Sequence, residues 1–181
     1  MSLPIETDCL LLRKFTVNDI DDIIALVSHP SVAGVGNKIK ASTPDVKKHI
    51  ERQNALQLFE LDKCFDLGIE LKRENKIIGF VGLIRKNHKQ GEIGWALHIG
   101  YRGKGYAAEA ARALITYGFE KLRLHRIFAD TSNANVSSVK VMERLGMRRE
   151  GHYRESELLD GQWRDVLVYA ILADEWRADS H

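Results

Sequence analysis

Between Gly100 and Gly105 three glycines are interleaved with Tyr101 and two cations, Arg102 and Lys104. Glycines let backbone N–H groups approach a ligand with no Cβ in the way. If a helix starts just beyond, its first N–H groups lack internal partners and lie at the positive end of the helix dipole. Such a turn favours a phosphate by roughly 0.3 to 2 kcal/mol per charge. The chemistry is anion binding, and the plainer alternative is a tight turn with solvated cations. Gly103-Lys104-Gly105-Tyr106-Ala107-Ala108 also fits the G-x-G-x-x-A dinucleotide fingerprint, with Asp130 following a strand at a tolerable distance. A doubly wound sheet, however, needs several more strand–helix units than the rest of the chain supplies.

Upstream stands Glu92. Counting by two along a strand, it shares a face with Gly94, Ala96 and His98. A carboxylate beside small residues leaves room for a substrate or a water, and partial burial would raise its pKa to a range useful for proton transfer. Its plain alternative is an ion pair with Lys89 or Arg85. His98 is a second candidate base, although a histidine in such a place more often packs or bonds a neighbouring carbonyl. Downstream, Asn135 is a good helix N-cap and Ser138, three residues on, completes the local hydrogen bonding.

The elements that must position these residues follow from periodicity. From Ile93 to Ile99 large apolar residues alternate with small or polar ones, the pattern of a strand. From Ala107 to Leu122 apolar residues recur at three- and four-residue spacing, the pattern of an amphipathic helix. Before them come a strand near 9–13, a helix starting at Thr16 with Asp19 at its third position, and a helix from Thr43 to about Leu61 with Pro44 in its first turn. Strands at Phe65–Leu71 and Ile77–Ile84 are joined by a polar turn, Arg73-Glu74-Asn75-Lys76. After the central pair come a strand at Arg126–Thr131, a helix at Asn135–Leu145 closed by Gly146, and a hairpin with arms near Met147–Leu158 and Trp163–Leu172. That order is a mixed α/β (α+β) layout, and nothing interrupts it as a linker, so one domain over 1–181 is expected.

With 44% hydrophobic residues the 181-residue chain can bury a real core. Its net charge of +2, with both signs interspersed, marks no nucleic-acid partner. The two cysteines, Cys9 and Cys64, have neither metal spacing nor a CxxC, so no metal site is expected, and free thiols in a reducing compartment suit them best. No apolar run reaches membrane-spanning length, and the start lacks a signal-peptide plan, so the expectation is a cytoplasmic protein with no membrane partner. Oligomeric state is not readable.

Arg102-Gly103-Lys104-Gly105-Tyr106-Ala107 resembles the R/Q-x-x-G-x-G/A pyrophosphate loop of the GNAT superfamily of acetyl-CoA-dependent N-acetyltransferases. Its extension to Ala110, together with Asn135-Val136-Ser137-Ser138 and Met142-Glu143-Arg144-Leu145-Gly146-Met147, resembles the ribosomal-protein (RimJ/RimL-like) branch over nearly the whole chain. The resemblance implies a central, mostly antiparallel twisted sheet of about seven strands flanked by about four helices. Two strands, ending near Ile99 and beginning near Arg126, would diverge to admit a pantetheine arm. It implies acetyl-CoA as cofactor, coenzyme A as product, and direct acetyl transfer to a primary amine, either a small molecule or a protein N-terminus. Residues 102–107 would hold the diphosphate, a main-chain N–H within Leu97-His98-Ile99 would stabilise the oxyanion, and Asn135 and Ser138 would meet the pantetheine and the sulfur. Glu92 would be the base and Ser138 the acid, because Met142 stands where many relatives carry a proton-donating tyrosine. Tyr153 or water remains an alternative acid. Gly100, Ala108 and Met147 depart from the branch pattern without removing a backbone donor. The loop 29–40 and the hairpin carrying Glu155, Glu157 and Asp160 would border the acceptor. A non-catalytic acetyl-CoA-binding module and a dinucleotide enzyme are the other readings.

Overall fold

Each run of alternating apolar residues becomes a strand, and all of them join one sheet. The computed structural model describes residues 3–29, 32, 39–159 and 161–178. Its strands are β1 (Ile5–Glu6), β2 (Leu10–Arg13), β3 (Cys64–Leu71), β4 (Lys76–Lys86), β5 (Gln90–Leu97), β6 (Arg126–Ser132), β7 (Arg148–Leu159) and β8 (Gln162–Leu172). The helices are α1 (Ile20–Val27), α2 (Thr43–Ala55), α3 (Tyr106–Glu120), α4 (Val136–Arg144) and α5 (Ala173–Ala178). The strands lie in the order β1-β2-β3-β4-β5-β6-β8-β7. Every pairing is antiparallel except β5 with β6, which is parallel and registers only from Gln90↔Arg126 to Glu92↔Phe128. This is the mixed α/β layout expected, with β1 and α5 added. It is not a doubly wound parallel sheet, so the dinucleotide reading fails on topology.

Each face of the sheet has its own core. Leu67, Ile69, Leu83, Ile93, Leu97 and Ile127 pack with Ala110, Ala111, Leu114 and Ile115 of α3. On the other face Phe15, Ile77, Phe80 and Ala96 pack with Ile23 and Leu26 of α1 and Val46 and Ile50 of α2. Burying each such large side chain stabilises the fold by about 1.5 to 3 kcal/mol. α2 ends at Ala55, short of the expected Leu61. Phe59 explains the difference: it turns inward at φ 53° and is fully buried, its ring 4.8 Å from that of Phe65 and 5.2 Å from that of Tyr117. A continuing helix could not deliver it there, so tertiary packing overrides the local period.

The strand expected to reach Ile99 stops at Leu97, where a 3₁₀ turn, Ile99–Tyr101, takes over. α4 begins and ends as its sequence dictates: the Asn135 side chain accepts the Ser138 N–H at 3.2 Å, and Gly146 closes the helix by donating to Glu143 O at 3.0 Å.

Candidate active site

The glycine turn is held from both sides. His98 Nδ1 accepts the Gly100 N–H at 3.2 Å, so the ring caps the 3₁₀ turn. Tyr101 donates its hydroxyl to Glu74 at 2.6 Å, and Lys104 Nζ lies 5.5 Å from the Tyr101 ring centre. Arg102 Nε donates to Leu97 O at 3.1 Å. Gly105, the N-cap of α3, has φ 89° and ψ −10°, a left-handed conformation that glycine alone adopts at little cost. The first helical bond of α3 runs from Glu109 N–H to Gly105 O at 3.0 Å. The N–H groups of Tyr106, Ala107 and Ala108 therefore have no intrahelical acceptor. Glu109 fastens this helix start to the turn between β1 and β2, accepting from Thr7 Oγ1 at 2.6 Å and Cys9 N–H at 2.8 Å.

Arg144, from the last turn of α4, stands against the same loop: a Cβ built on Gly105 would lie 3.7 Å from Arg144 Nη1. The sequence presents Arg144 only as part of the Glu-Arg-Leu-Gly helix ending. Its proximity to Gly105 depends on how α4 crosses α3.

Beyond the third register pair, β5 and β6 separate. His98 N–H is bonded to Ile78 O on β4 at 2.9 Å. Strand backbone groups alternate in direction, so those of Leu97, Trp95 and Ile93 point away from β4 toward the gap. Of the three amides considered from sequence, that of His98 is thus engaged elsewhere, whereas that of Leu97 faces the gap. A cleft of about 670 Å³ opens here. Ile93 and Trp95 line it from the α3 side of the sheet and Glu92 and Gly94 from the other, so it passes through the sheet at the fork. Asn135 and Ser138 line it too, and the Ser138 hydroxyl has no hydrogen-bond partner among the described residues. Met142 is fully buried in its wall. Tyr153 is 57% exposed and, unlike Ser138, does not line the cleft.

The opposite wall is acidic. Glu92 pairs with Lys86 at 3.1 Å, not with Lys89 or Arg85. Asp66 accepts from Gln53 Nε2 at 3.1 Å and from Cys64 Sγ at 3.2 Å, and burial pushes its carboxyl above the ordinary range. Burial, then the Asp66 charge, push the Cys64 thiol far up, leaving it un-ionised and inert as a nucleophile. Asp130 is likewise raised, by desolvation first and then by the charges of Glu92 and Glu157. Arg164, across from Glu157, turns a buried Nε into this wall without a hydrogen-bond partner among the described residues. Asp160 and residues 30, 31 and 33–38 of the other bordering loop lie outside the described residues.

No described helix is long and apolar enough to cross a membrane. Residues 10–148 match the family described as Acetyltransferase (GNAT) domain. The N-acetyltransferase YnaD of Bacillus subtilis (strain 168), itself uncharacterized, is 32% identical over 173 residues, 95% of this chain and 98% of that protein. The [ribosomal protein uS5]-alanine N-acetyltransferase of Escherichia coli (strain K12) is 32% identical over 116 residues, 62% of this chain and 60% of that protein. The crystal structure of a GNAT-family acetyltransferase from Bacillus anthracis superposes with a TM-score of 0.83 at 30% identity, covering 96% of this chain and all of that one. A family match over most of the chain, on a sheet that opens beside a glycine-led helix start, makes this protein an N-acetyltransferase of the GNAT family.

Proposed function

We propose that the cleft takes acetyl-CoA from the α3 side and a primary amine from the carboxylate side, and that acetyl transfer occurs where they meet in the fork. The observation that carries this reading is a single cleft lined from both faces of the sheet, with Arg102 of the glycine turn and the carboxylates of Asp66, Glu92, Asp130 and Glu157 among its walls. The residues present fit the cofactor. The N–H groups of Tyr106, Ala107 and Ala108, with Gly103, Gly105, Arg102, Lys104 and Arg144 around them, suit a diphosphate. The free amide side of Leu97, with His98 and Ile99 completing the bend, and the side-chain amide of Asn135 suit a polar arm lying in the gap. When bound, acetyl-CoA supplies the acetyl group as an activated thioester.

The chain's own residues then divide the remaining work. Leu97 N–H offers a hydrogen bond to an acyl oxygen in the fork. Ser138, its hydroxyl unengaged, is the donor for a departing thiolate. Glu92, the base expected from sequence, stands at the fork where an ammonium must shed a proton, although Lys86 already answers its charge. The acidic wall favours a cationic amine, whether a protein N-terminus or a small molecule, by attraction across a partly desolvated cleft. The Asn135–Ser138 helix start and the Glu-Arg-Leu-Gly ending support the RimJ/RimL-like branch. The free Cys9 and Cys64 agree with a cytoplasmic setting.

Calorimetry with acetyl-CoA, and NADPH as control, tests the cofactor. An acceptor screen over peptides with free N-termini, polyamines and amino acids, read by coenzyme A release, then tests the transfer. Selective acetyl-CoA binding with amine-dependent release is expected. Absence of acetyl-CoA binding to folded protein would sink the reading.

A further inference from the structure

Resting on that reading, we propose that Asp130 is the catalytic residue that takes the proton from the acceptor's ammonium, with Glu92 held by Lys86 as a fixed anion beside it. The register places it: β5 and β6 last pair at Glu92↔Phe128, and Asp130, two residues on, shares the face of Phe128 on the strand that has just diverged. On β5 that stretch belongs to Gly94, where an added Cβ would meet nothing within 4 Å. Open space therefore lies between the Asp130 strand and the fork, as an incoming amine requires.

The charged and titratable groups around Asp130 differ in how they are answered. Glu92 on β5 has Lys86 of β4 at 3.1 Å. Asp66 and Cys64 on β3 are bonded to each other and to Gln53, and Arg102 is bonded to Leu97 O. Glu157 on β7 and Arg164 on β8 line the same wall as Asp130. Asp130 has no side-chain hydrogen bond or ion pair to another described residue, and it is exposed at the cleft mouth. It is thus a carboxylate with no partner among the described residues, pushed upward by partial desolvation and by Glu92 and Glu157, yet with part of its surface exposed.

In the step itself the N–H bond of the ammonium breaks and its electron pair stays on nitrogen as the attacking lone pair. The proton forms an O–H bond on Asp130 and is then lost to water at the mouth, which restores the carboxylate. The base form is the ionised one, so kcat/KM falls as pH drops through the Asp130 pKa. Glu157 raises that pKa by like-charge repulsion, so removing its charge moves the acidic limb to lower pH.

The test measures kcat, KM and the pH profile on a primary-amine acceptor for wild type, Asp130→Asn, Asp130→Glu and Glu157→Gln, with acetyl-CoA affinity by calorimetry for each. Asp130→Asn is expected to lose about 100-fold or more in kcat, to keep acetyl-CoA affinity, and to lose the acidic limb. Asp130→Glu should recover part of the rate, and Glu157→Gln should shift the limb downward. Wild-type kcat and an unchanged limb in Asp130→Asn would overturn the assignment while leaving acetyl transfer standing. Failure of wild type to bind acetyl-CoA would overturn both.

Discussion

Replacing Gly105 by valine separates the proposed phosphate-binding role of the helix start from its role in the fold. The position has φ 89°, and the nearest atom to a new Cβ would be Arg144 Nη1 at 3.7 Å, so the penalty is conformational and not a clash. A left-handed conformation costs an L-residue about 1 to 2 kcal/mol. For a chain of this size that lowers Tm by roughly 2 to 8 °C, which leaves the protein folded at 25 °C. To escape the strain the turn must rotate, and the amides of Tyr106, Ala107 and Ala108 rotate with it. A hydrogen bond to a charged group contributes about 1.5 to 3 kcal/mol, so misdirecting two of them costs about 3 kcal/mol or more, over 100-fold in Kd. Calorimetry with acetyl-CoA, beside a thermal melt, reads both numbers. A variant that shows the expected drop in Tm yet binds acetyl-CoA within about threefold of wild type would refute the placement of phosphates on these amides.

Ser138→Ala removes a hydroxyl that no described residue uses, so stability should stay within about 0.5 kcal/mol while kcat falls and acetyl-CoA affinity holds; an unchanged kcat leaves water as the acid. Glu92→Gln should leave acetyl-CoA affinity intact. A sole base would cost about 100- to 10,000-fold in kcat, whereas an anion already held by Lys86 should cost under about tenfold in kcat and raise the acceptor KM; steady-state kinetics at saturating acetyl-CoA decide between them. Asp66→Asn should flatten the pH dependence of stability. With its folded pKa raised, Asp66 keeps its proton in the native state after the unfolded chain has lost it, so its contribution declines as pH rises from about 4 through the folded pKa. The asparagine cannot ionise and keeps an acceptor for Gln53, so urea titrations should find it more stable than wild type at neutral pH; a less stable variant there would contradict the burial argument.

Helices α3 and α4 were legible because their signals are local: an apolar stripe of period 3.6, glycine before the start, Asn135 as cap and Gly146 as stop. β1 and α5 were not. Two residues give no period, and α5 is six residues whose Trp176 is placed by Phe119 from a distant helix, with ring centres 6.1 Å apart. Of the residues picked out by such local signals, Glu92, Arg102, Asn135 and Ser138 line the cleft. The rest of the site depends on strand order. Asp130 and Glu157 share a wall only because β8 pairs with β6 on one side and β7 on the other, and no period in the sequence encodes that order. From sequence, Asp130 suggested only a ribose partner in a fingerprint. Lys86 is likewise chosen over Lys89 or Arg85 by the register of the β4–β5 hairpin, Ile84↔Glu92 and Lys86↔Gln90.

The fork also follows from hydrogen-bond accounting. β5 has eight residues and β6 seven, yet only three positions of each are in register with the other. β5 is fully paired with β4, and β6 with β8, so the unmatched backbone groups all face the gap. Buried N–H and C=O groups must find partners, and strand edges left open in a core are costly. Among the described residues only part of the edge is answered, as where Arg102 Nε donates to Leu97 O. A ligand carrying its own amides would satisfy the remainder as an added strand does, with main-chain hydrogen bonds supplying affinity and the flanking walls supplying selectivity. The pantetheine arm of coenzyme A is such a chain. Anchored by its diphosphate at the start of α3 and laid along β5, it would carry the thioester toward Leu97 N–H, Ser138 and the acidic wall. On the proposed reading, the same divergence of two strands would make both the groove for the donor and the opening for the acceptor.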